Sequence, residues 1–433
     1  MRYLSHSSNE IEYMLGIIGK KSIDELFDSI PKSLQLEKGL NLPKPISEWE
    51  LESYFNKISK DDGLQKSYLG GGIYNHFIPS IIPYLTSRSE FLTSYTPYQP
   101  EISQGTLQTQ FEFQTYISTY LGMDYSNSSM YDGATSFVEG VLLSVRVNKS
   151  KKVAVSMGIN PHYLDVLKTY SQGADLEIIY LELNKDGKTD LDSIENISEL
   201  ASISIQSPNY FGVIEDQEKV KPIIGSNCTL FISVFTEILS FGLFQPPGFY
   251  NADLACGEAQ SFGLSQNYGG PCLGIFGFKK DFLRAVPGRL VGQTIDKNGN
   301  RSFSLTLATR EQHIRREKAT SNICSNQGLC VVSATIYMSL LGGEGLKRLA
   351  SINFSNSEYL KKGLINLGCS LKYESETFNE FLVKFPKTFD MNLFKKYKII
   401  PGYKIDEYYL ITVTEVLTKI DMDEFLLIVR EGV

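Results

Sequence analysis

Tyr95, Tyr98 and Gln99 crowd the start of the stretch YTPYQPEISQGTLQ (95–108). Each tyrosine offers a large ring with one polar tip, and the glutamine adds a donor and an acceptor. Pro97 and Pro100 pin the backbone, so these groups can be presented at small ordering cost. Short connections are usually cheap polar turns, so a loop this rich in rings and prolines raises the question of what it presents.

Three further segments combine types that can do chemistry. GGGIYNH (70–76) sets adjacent glycines before Tyr74, Asn75 and His76. Adjacent glycines cost backbone entropy and make sense where a backbone must come close to something. A lone His76 is ordinarily structural, but the glycines beside it favour a site. MYDGATSFVEGVLLSVRV (130–147) carries Ala134, Phe137, Val138, Val141, Leu142 and Val145 at helical spacing. The helix must therefore start at Asp132-Gly133-Ala134-Thr135. Free N–H groups at such a start suit an anion. Asp132 already fills that electrostatic role and would repel a phosphate, so the segment reads either as a cradle or as a capped helix. TREQHIRREKATSNICSNQG (309–328) packs in Arg310, His313, Arg315, Arg316 and Lys318. That cluster can hold a carboxylate or phosphate, or form a solvated face paired with Glu311 and Glu317.

These segments need a frame to position them. KKVAVSM (151–157), DLEIIYLEL (175–183), LASISIQ (200–206), TLFISV (229–234) and CLGIFGF (272–278) read as strands. A helix from Pro161 to Gln172 separates the first two. Strands separated by helices predict an α/β fold with a mostly parallel sheet covered on both faces. The loop 209–220, with Pro208 before it and Gly212 in it, reads as a strand-end loop that could line a pocket. PGRLVGQTIDKNGNRSF (287–303) reads as a hairpin with Asn298-Gly299 at its tip. Residues 1–65 read as a helical arm, too short to bury its own core, with one helix starting near Ser8 and a second running from Ser22 to Pro31. The large domain is expected over 66–335. From 336 to 433 a long helix, then FNEFLVKFP and YYLITVT around a helical FDMNLFKKYKII, predict a smaller α+β domain.

Composition narrows the function. The chain has 433 residues, too many for one core. Its net charge of −7 argues against a nucleic-acid partner. Six cysteines are scattered without C-x-x-C spacing, which fits a reducing cytoplasm better than a disulfide framework or zinc site. No apolar run reaches the roughly 18 residues of a membrane span, and the N-terminus has no signal-peptide core. H-E-x-x-H, G-x-S-x-G and Walker A motifs are absent, and with four histidines a histidine metal site is not expected.

Taken in order, LGGGIYNHFIPS, FLTSYTPYQPEISQGTLQTQFEFQT, YDGAT, SFGLSQNYGGPCLGIF, PGRLVGQTIDKNG and LATREQHIRREKATSNICSNQ resemble the alpha subunit (subunit 1) of the glycine cleavage system P-protein family. The resemblance runs from about residue 67 to 345. It implies the fold type I of pyridoxal-phosphate (PLP) transferases, which is aspartate-aminotransferase-like. It implies an assembly of two alpha and two beta chains that decarboxylates glycine on PLP, passes the aminomethyl group to the lipoyl arm of the H-protein and releases carbon dioxide. In the family, PLP and its Schiff-base lysine belong to the beta chain.

This chain fits that division. Aligned on the family, Ser261 stands at the lysine position, and a serine forms no imine. The ring-nitrogen acid should lie at Ile232, Ser233 or Val234, where none is acidic, and Glu237 comes several residues late. The phosphate cradle would be Asp132, Gly133, Ala134 and Thr135, with a carboxylate in the way. Phe235-Thr236 replaces an asparagine-proline pair of the family pattern. The expectation is a chain without its own cofactor or catalytic residue, inactive alone. Tyr95, Tyr98 and Gln99 would reach into the beta chain's pocket, with Asn75, His76, Thr320, Ser321 and Asn322 as second choices. Two alternatives stay open. One is a free-standing PLP enzyme using Lys279 or Lys280, and the other is a non-catalytic binding protein on the same fold.

Overall fold

The structure is a computed structural model that describes residues 5–36, 38–62, 66–307, 312–319, 321–323 and 325–432. Contacts divide the chain into two units, Met1–Gly63 and Leu64–Val433.

Among the described residues, the first unit holds two α-helices, Ser8–Ile17 and Glu48–Asp62. Each starts with a capping box. Ser7 exchanges hydrogen bonds with Glu10, and Ser47 does the same with Glu50. The first cap is thus Ser7, one residue before the expected start. The helix expected from Ser22 to Pro31 is instead a single 3-10 turn, Asp24–Phe27. Pro31 bars extension, and so short a segment lacks the length to sustain a helix. Tyr13, Ile17, Phe27, Leu34, Trp49 and Phe55 are all exposed.

The second unit begins with β1 (Lys66–Ser67), followed by the strands of a seven-stranded sheet. These are β2 (Tyr125–Ser126), β3 (Lys152–Ser156), β4 (Glu177–Leu181), β5 (Leu200–Gln206), β6 (Leu230–Phe235), β7 (Leu254–Glu258) and β8 (Gly274–Phe278). Their order is β2-β8-β7-β6-β5-β3-β4. The run from β7 to β4 is parallel, while β8 is antiparallel to both β7 and β2. Along β6, Ile232 and Val234 join one buried cluster and Phe231 another, as expected for a sheet covered on both faces. The helix Gly133–Asn148 lays Phe137, Val138 and Val141 on the first cluster.

Next come the strands β9 (Leu290–Ile295) and β10 (Arg301–Thr306) of the expected hairpin, with Ile295 opposite Arg301. Gly299 sits at the tip with φ +84, a conformation that a β-carbon disfavours. The helix Gly328–Asn366 then runs 39 residues, with non-helical dihedrals at Gly342. By length and composition it could cross a membrane, but half of its apolar window is buried in the protein, as suits a core helix. A four-stranded antiparallel sheet follows: β11 (Ser370–Leu371), β12 (Glu380–Lys384), β14 (Tyr403–Ile405) and β15 (Tyr408–Thr412). Between them, β13 (Ile399–Ile400) pairs in parallel with β1. The segment expected as one helix over FDMNLFKKYKII is a short helix, Asn392–Lys396, followed by β13. Phe381, Val383, Ile411, Phe425 and Val429 pack with Leu360 and Leu364 in this small core.

Candidate functional site

In an open α/β sheet, ligands bind beyond the carboxyl ends of the parallel strands. Here those ends carry Ser156, Gln206, Phe235 and Glu258. The helix Gly133–Asn148 starts beside the end of β7. Asp132 is its N-cap, in extended conformation, and its carboxylate accepts the Thr135 N–H at 2.7 Å. The cap read from the sequence is therefore present, and Thr135 reciprocates by accepting the Asp132 N–H at 3.2 Å.

A second carboxylate enters from the sheet. Glu258 Oε2 accepts the Gly133 N–H at 3.0 Å. Its Oε1 accepts the Leu273 N–H at 2.7 Å and the Ala259 N–H at 3.1 Å. Glu258 is only 2% exposed. Burial pushes its carboxyl up to about 7, against the pull of the three N–H donors. Tyr163 closes the same corner. Its hydroxyl lies so near the Gly133 α-carbon that a β-carbon there would overlap it. Ser261 is buried in the turn after β7. Lys279 lies at the opposite end of the strands, bonded to Asp253 and to the Asn251 carbonyl. Lys280 is exposed.

Beyond β5 and β6, the glycine-rich segment fills the cleft itself. A β-carbon on Gly70 would overlap Thr412 and Glu380, and one on Gly72 would crowd Asn160. The close approach implied by adjacent glycines is thus to this chain's own side chains. The Tyr74 hydroxyl donates to Glu380 Oε2 at 2.8 Å, and Gly71 N–H and the Thr412 hydroxyl reach Glu380 Oε1 at 2.6 and 2.7 Å. Burial pushes the Glu380 carboxyl up to about 7. His76 is buried between two acids, with Nε2 2.9 Å from Glu237 and Nδ1 2.8 Å from Glu415. Burial alone would lower its imidazole, but Glu237 and Glu415 outweigh that and raise it to about 10. Asn353 Nδ2 and the Phe77 N–H also donate to Glu415. Glu237, late for a ring-nitrogen acid, is thus engaged by His76. Asn75 is exposed, and its carbonyl accepts the Thr414 hydroxyl at 2.6 Å.

The Tyr95–Gln99 loop is built differently. Tyr95 is 89% exposed and Tyr98 53%, and Gln99 is exposed as well. The loop is nevertheless anchored. Arg289, 3% exposed, donates to the Tyr98 hydroxyl at 3.0 Å and to Thr96 Oγ1 at 3.3 Å. Its guanidinium carbon lies 5.1 Å from the Tyr98 ring centre. The Arg289 carbonyl accepts the Ser128 N–H at 2.9 Å, which ties the loop to the chain leading into the helix at Gly133. Gln104 pairs with both backbone groups of Phe303, and Gln114 with both of Val291, so two side chains dock the following helix on the hairpin.

Ser321 donates to Glu139 on the Gly133–Asn148 helix at 2.8 Å, while Asn322 is exposed. Asn326 and Gln327 bond to Ser128, Ser129 and Tyr131. Tyr98, through Arg289, and Ser321 are therefore tied to the Gly133–Asn148 helix and the chain leading into it, whereas Asn75 and His76 lie in the cleft with Glu237, Thr414 and Glu415. Thr320 and Arg310 lie outside the described residues. Arg315, Arg316 and Lys318 are exposed. Among the described residues, no cluster of His, Cys, Asp and Glu is arranged to hold a metal. Neither Arg289 nor Glu258 was singled out from the sequence, although one anchors the Tyr98 loop and the other fills the helix start. The single available signal for Arg289 was a cation set directly before the apolar start of a hairpin strand.

A PLP phosphate fits this cradle poorly. It would meet Asp132 and Glu258 where it needs free N–H groups, and Ser261 cannot supply an imine nitrogen.

Comparison with known proteins agrees with the fold and the motifs. The profile of the family described as glycine cleavage system P-protein matches residues 1–429. A relative from Desulfotalea psychrophila, named probable glycine dehydrogenase (decarboxylating) subunit 1, is 46% identical over 98% of each chain. One of the same name from Oceanobacillus iheyensis is 42% identical over 98% of each chain. A crystal structure of glycine decarboxylase (P-protein) of the glycine cleavage system, in inhibitor-bound form, superposes with TM-score 0.90 at 35% identity over the whole of both chains. An alanine–glyoxylate aminotransferase from Nostoc shares the fold, with TM-score 0.60 at 15% identity over 93% of this chain and 98% of that one. The chain belongs to the glycine cleavage system P-protein family, among its glycine dehydrogenase (decarboxylating) subunit 1 members.

Proposed function

We propose that this chain is the subunit of glycine decarboxylase that holds no PLP and completes the active site of a lysine-bearing beta subunit. The cradle carries the reading: the place where the fold would seat a phosphate is taken by the chain's own Glu258 and Asp132. PLP and its Schiff-base lysine then reside in the partner, in an assembly of two alpha and two beta chains in the cytoplasm. Together they decarboxylate glycine, and the aminomethyl group passes to the lipoyl arm of the H-protein. Tyr95, Tyr98 and Gln99 stand exposed on a loop that Arg289 holds from behind, as suits groups that serve a neighbouring pocket.

The test is reconstitution. The chain is purified alone and with its partner, and PLP absorbance and glycine–bicarbonate exchange are measured in each. The reading expects both signals in the pair and neither in the isolated chain. PLP covalently attached to the isolated chain, located by borohydride reduction and peptide mapping, would overturn it.

A further inference from the structure

We propose that the Glu258 carboxylate is a built-in replacement for the phosphate of a cofactor, bonded where that phosphate would lie and closing the cradle to phosphorylated ligands. Three observations carry this. First, Glu258 Oε2 takes the Gly133 N–H at the first residue of the helix, at 3.0 Å, while Asp132 takes the Thr135 N–H at 2.7 Å. A helix start favours anionic acceptors, and here two side chains of the protein itself take its N–H groups. Second, Glu258 is fixed from both sides of the sheet end. Its other oxygen accepts the N–H groups of Ala259, after β7, and of Leu273, before β8, at 3.1 and 2.7 Å. An acceptor held by three donors from three elements does not swing aside for a ligand. Third, the space is filled. Tyr163 packs its hydroxyl on the Gly133 α-carbon, and the Glu258 N–H lies against the same atom. An incoming phosphate would have to displace one buried carboxylate in the presence of another.

The proposal rests on the occupied cradle that also carries the proposed function, and deepens that reading. It gives a cause for the missing cofactor other than the missing lysine at Ser261. It makes no use of Tyr95 or Tyr98, so activity assays on the pair do not decide it.

The test uses the full chain and inorganic phosphate. Thermal unfolding and phosphorus NMR are followed as phosphate is added at constant ionic strength. The wild-type midpoint should not respond. Glu258→Ala should unfold at a lower temperature and regain stability saturably with phosphate but not with chloride, because the three donors and the vacated space accept the ion. Saturable phosphate binding by the wild type, or a folded Glu258→Ala that ignores phosphate, overturns the proposal. Where Glu258→Ala does not fold, Glu258→Gln decides. It keeps the shape but replaces one acceptor oxygen with an NH2 that faces the N–H donors, so the acceptor role predicts a lower midpoint with no phosphate response. An unchanged midpoint would mean that Glu258 only fills space.

Discussion

The cleft beyond β5 and β6 and the Tyr95–Gln99 loop treat their polar groups in opposite ways. In the cleft, Tyr74, His76, Glu237, Glu380 and Glu415 are satisfied by one another and by this chain's backbone. In the loop, two tyrosines keep most of their surface in water and only the base is held, by Arg289. A region that satisfies itself contributes stability and has little left to offer a ligand. A rigid loop with exposed aromatic groups has the reverse character. Substitutions in the cleft should therefore weaken the isolated chain, and substitutions in the loop should be felt in the pair.

The largest effect is expected at His76. His76→Ala leaves Glu237 and Glu415 as buried, uncompensated carboxylates, which typically costs about 3–5 kcal/mol. Chemical denaturation of the isolated chain measures it. A loss below about 1 kcal/mol would mean that the triad is solvated and that the cleft is less closed than its burial implies. The same triad predicts a pH dependence. The folded imidazole is raised to about 10 from 6.5, so its stabilising contribution is complete below pH 6.5 and is lost as pH rises through about 10. Glu258 and Glu380, raised from 4.5 to about 7, lose theirs between those values. Melting midpoints of the wild type and His76→Gln should therefore converge above pH 7 and approach each other near 10. Parallel curves would remove His76 as the alkaline-sensitive group.

Arg289 comes next, and it sharpens the contrast because it is buried yet serves the exposed side. Arg289→Lys keeps the charge but loses the fork that reaches both Tyr98 and Thr96. A misplacement of about 1 Å in a positioning loop can reduce turnover by roughly 10²-fold. The expected signature is a fall in kcat of the pair at unchanged KM for glycine, with the isolated chain's melting midpoint little changed. A loss confined to stability would make Arg289 a core residue and nothing more.

The same contrast explains what could be read from the sequence. The parallel strands at 152–156 and 230–235 are mostly apolar, which is how a strand buried on both faces announces itself, whereas 200–206 alternates Ser202 and Ser204 with isoleucines and is buried all the same. β7 does not, because Ala255, Cys256 and Gly257 are small. A β-carbon on Gly257 would overlap the Phe235 carbonyl, so tertiary packing chose the residue against strand propensity. The Asp132 cap was legible because cap and helix are adjacent. Glu258 was not, since its partner Gly133 lies 125 residues away. The Arg289–Tyr98 contact spans 191 residues, and nothing local in either segment points to the other. Local chemistry is written in spacing, whereas pairing across the fold appears only in the structure.

The smallest expected effect, and the finest discrimination, lies at Tyr95. At 89% exposed it owes little to this chain's own packing, so neither Tyr95→Phe nor Tyr95→Ala should move the isolated chain's stability by more than about 0.5 kcal/mol. The two differ in the pair. If the hydroxyl bonds a group in the neighbouring pocket, Tyr95→Phe alone should lower glycine–bicarbonate exchange by the equivalent of one hydrogen bond, about 0.5–1.5 kcal/mol or roughly twofold to thirteenfold. If the ring only excludes water, Tyr95→Phe should be silent and Tyr95→Ala should carry the whole loss. Wild-type exchange from both variants would detach the loop from catalysis and leave the open half of the comparison without a function.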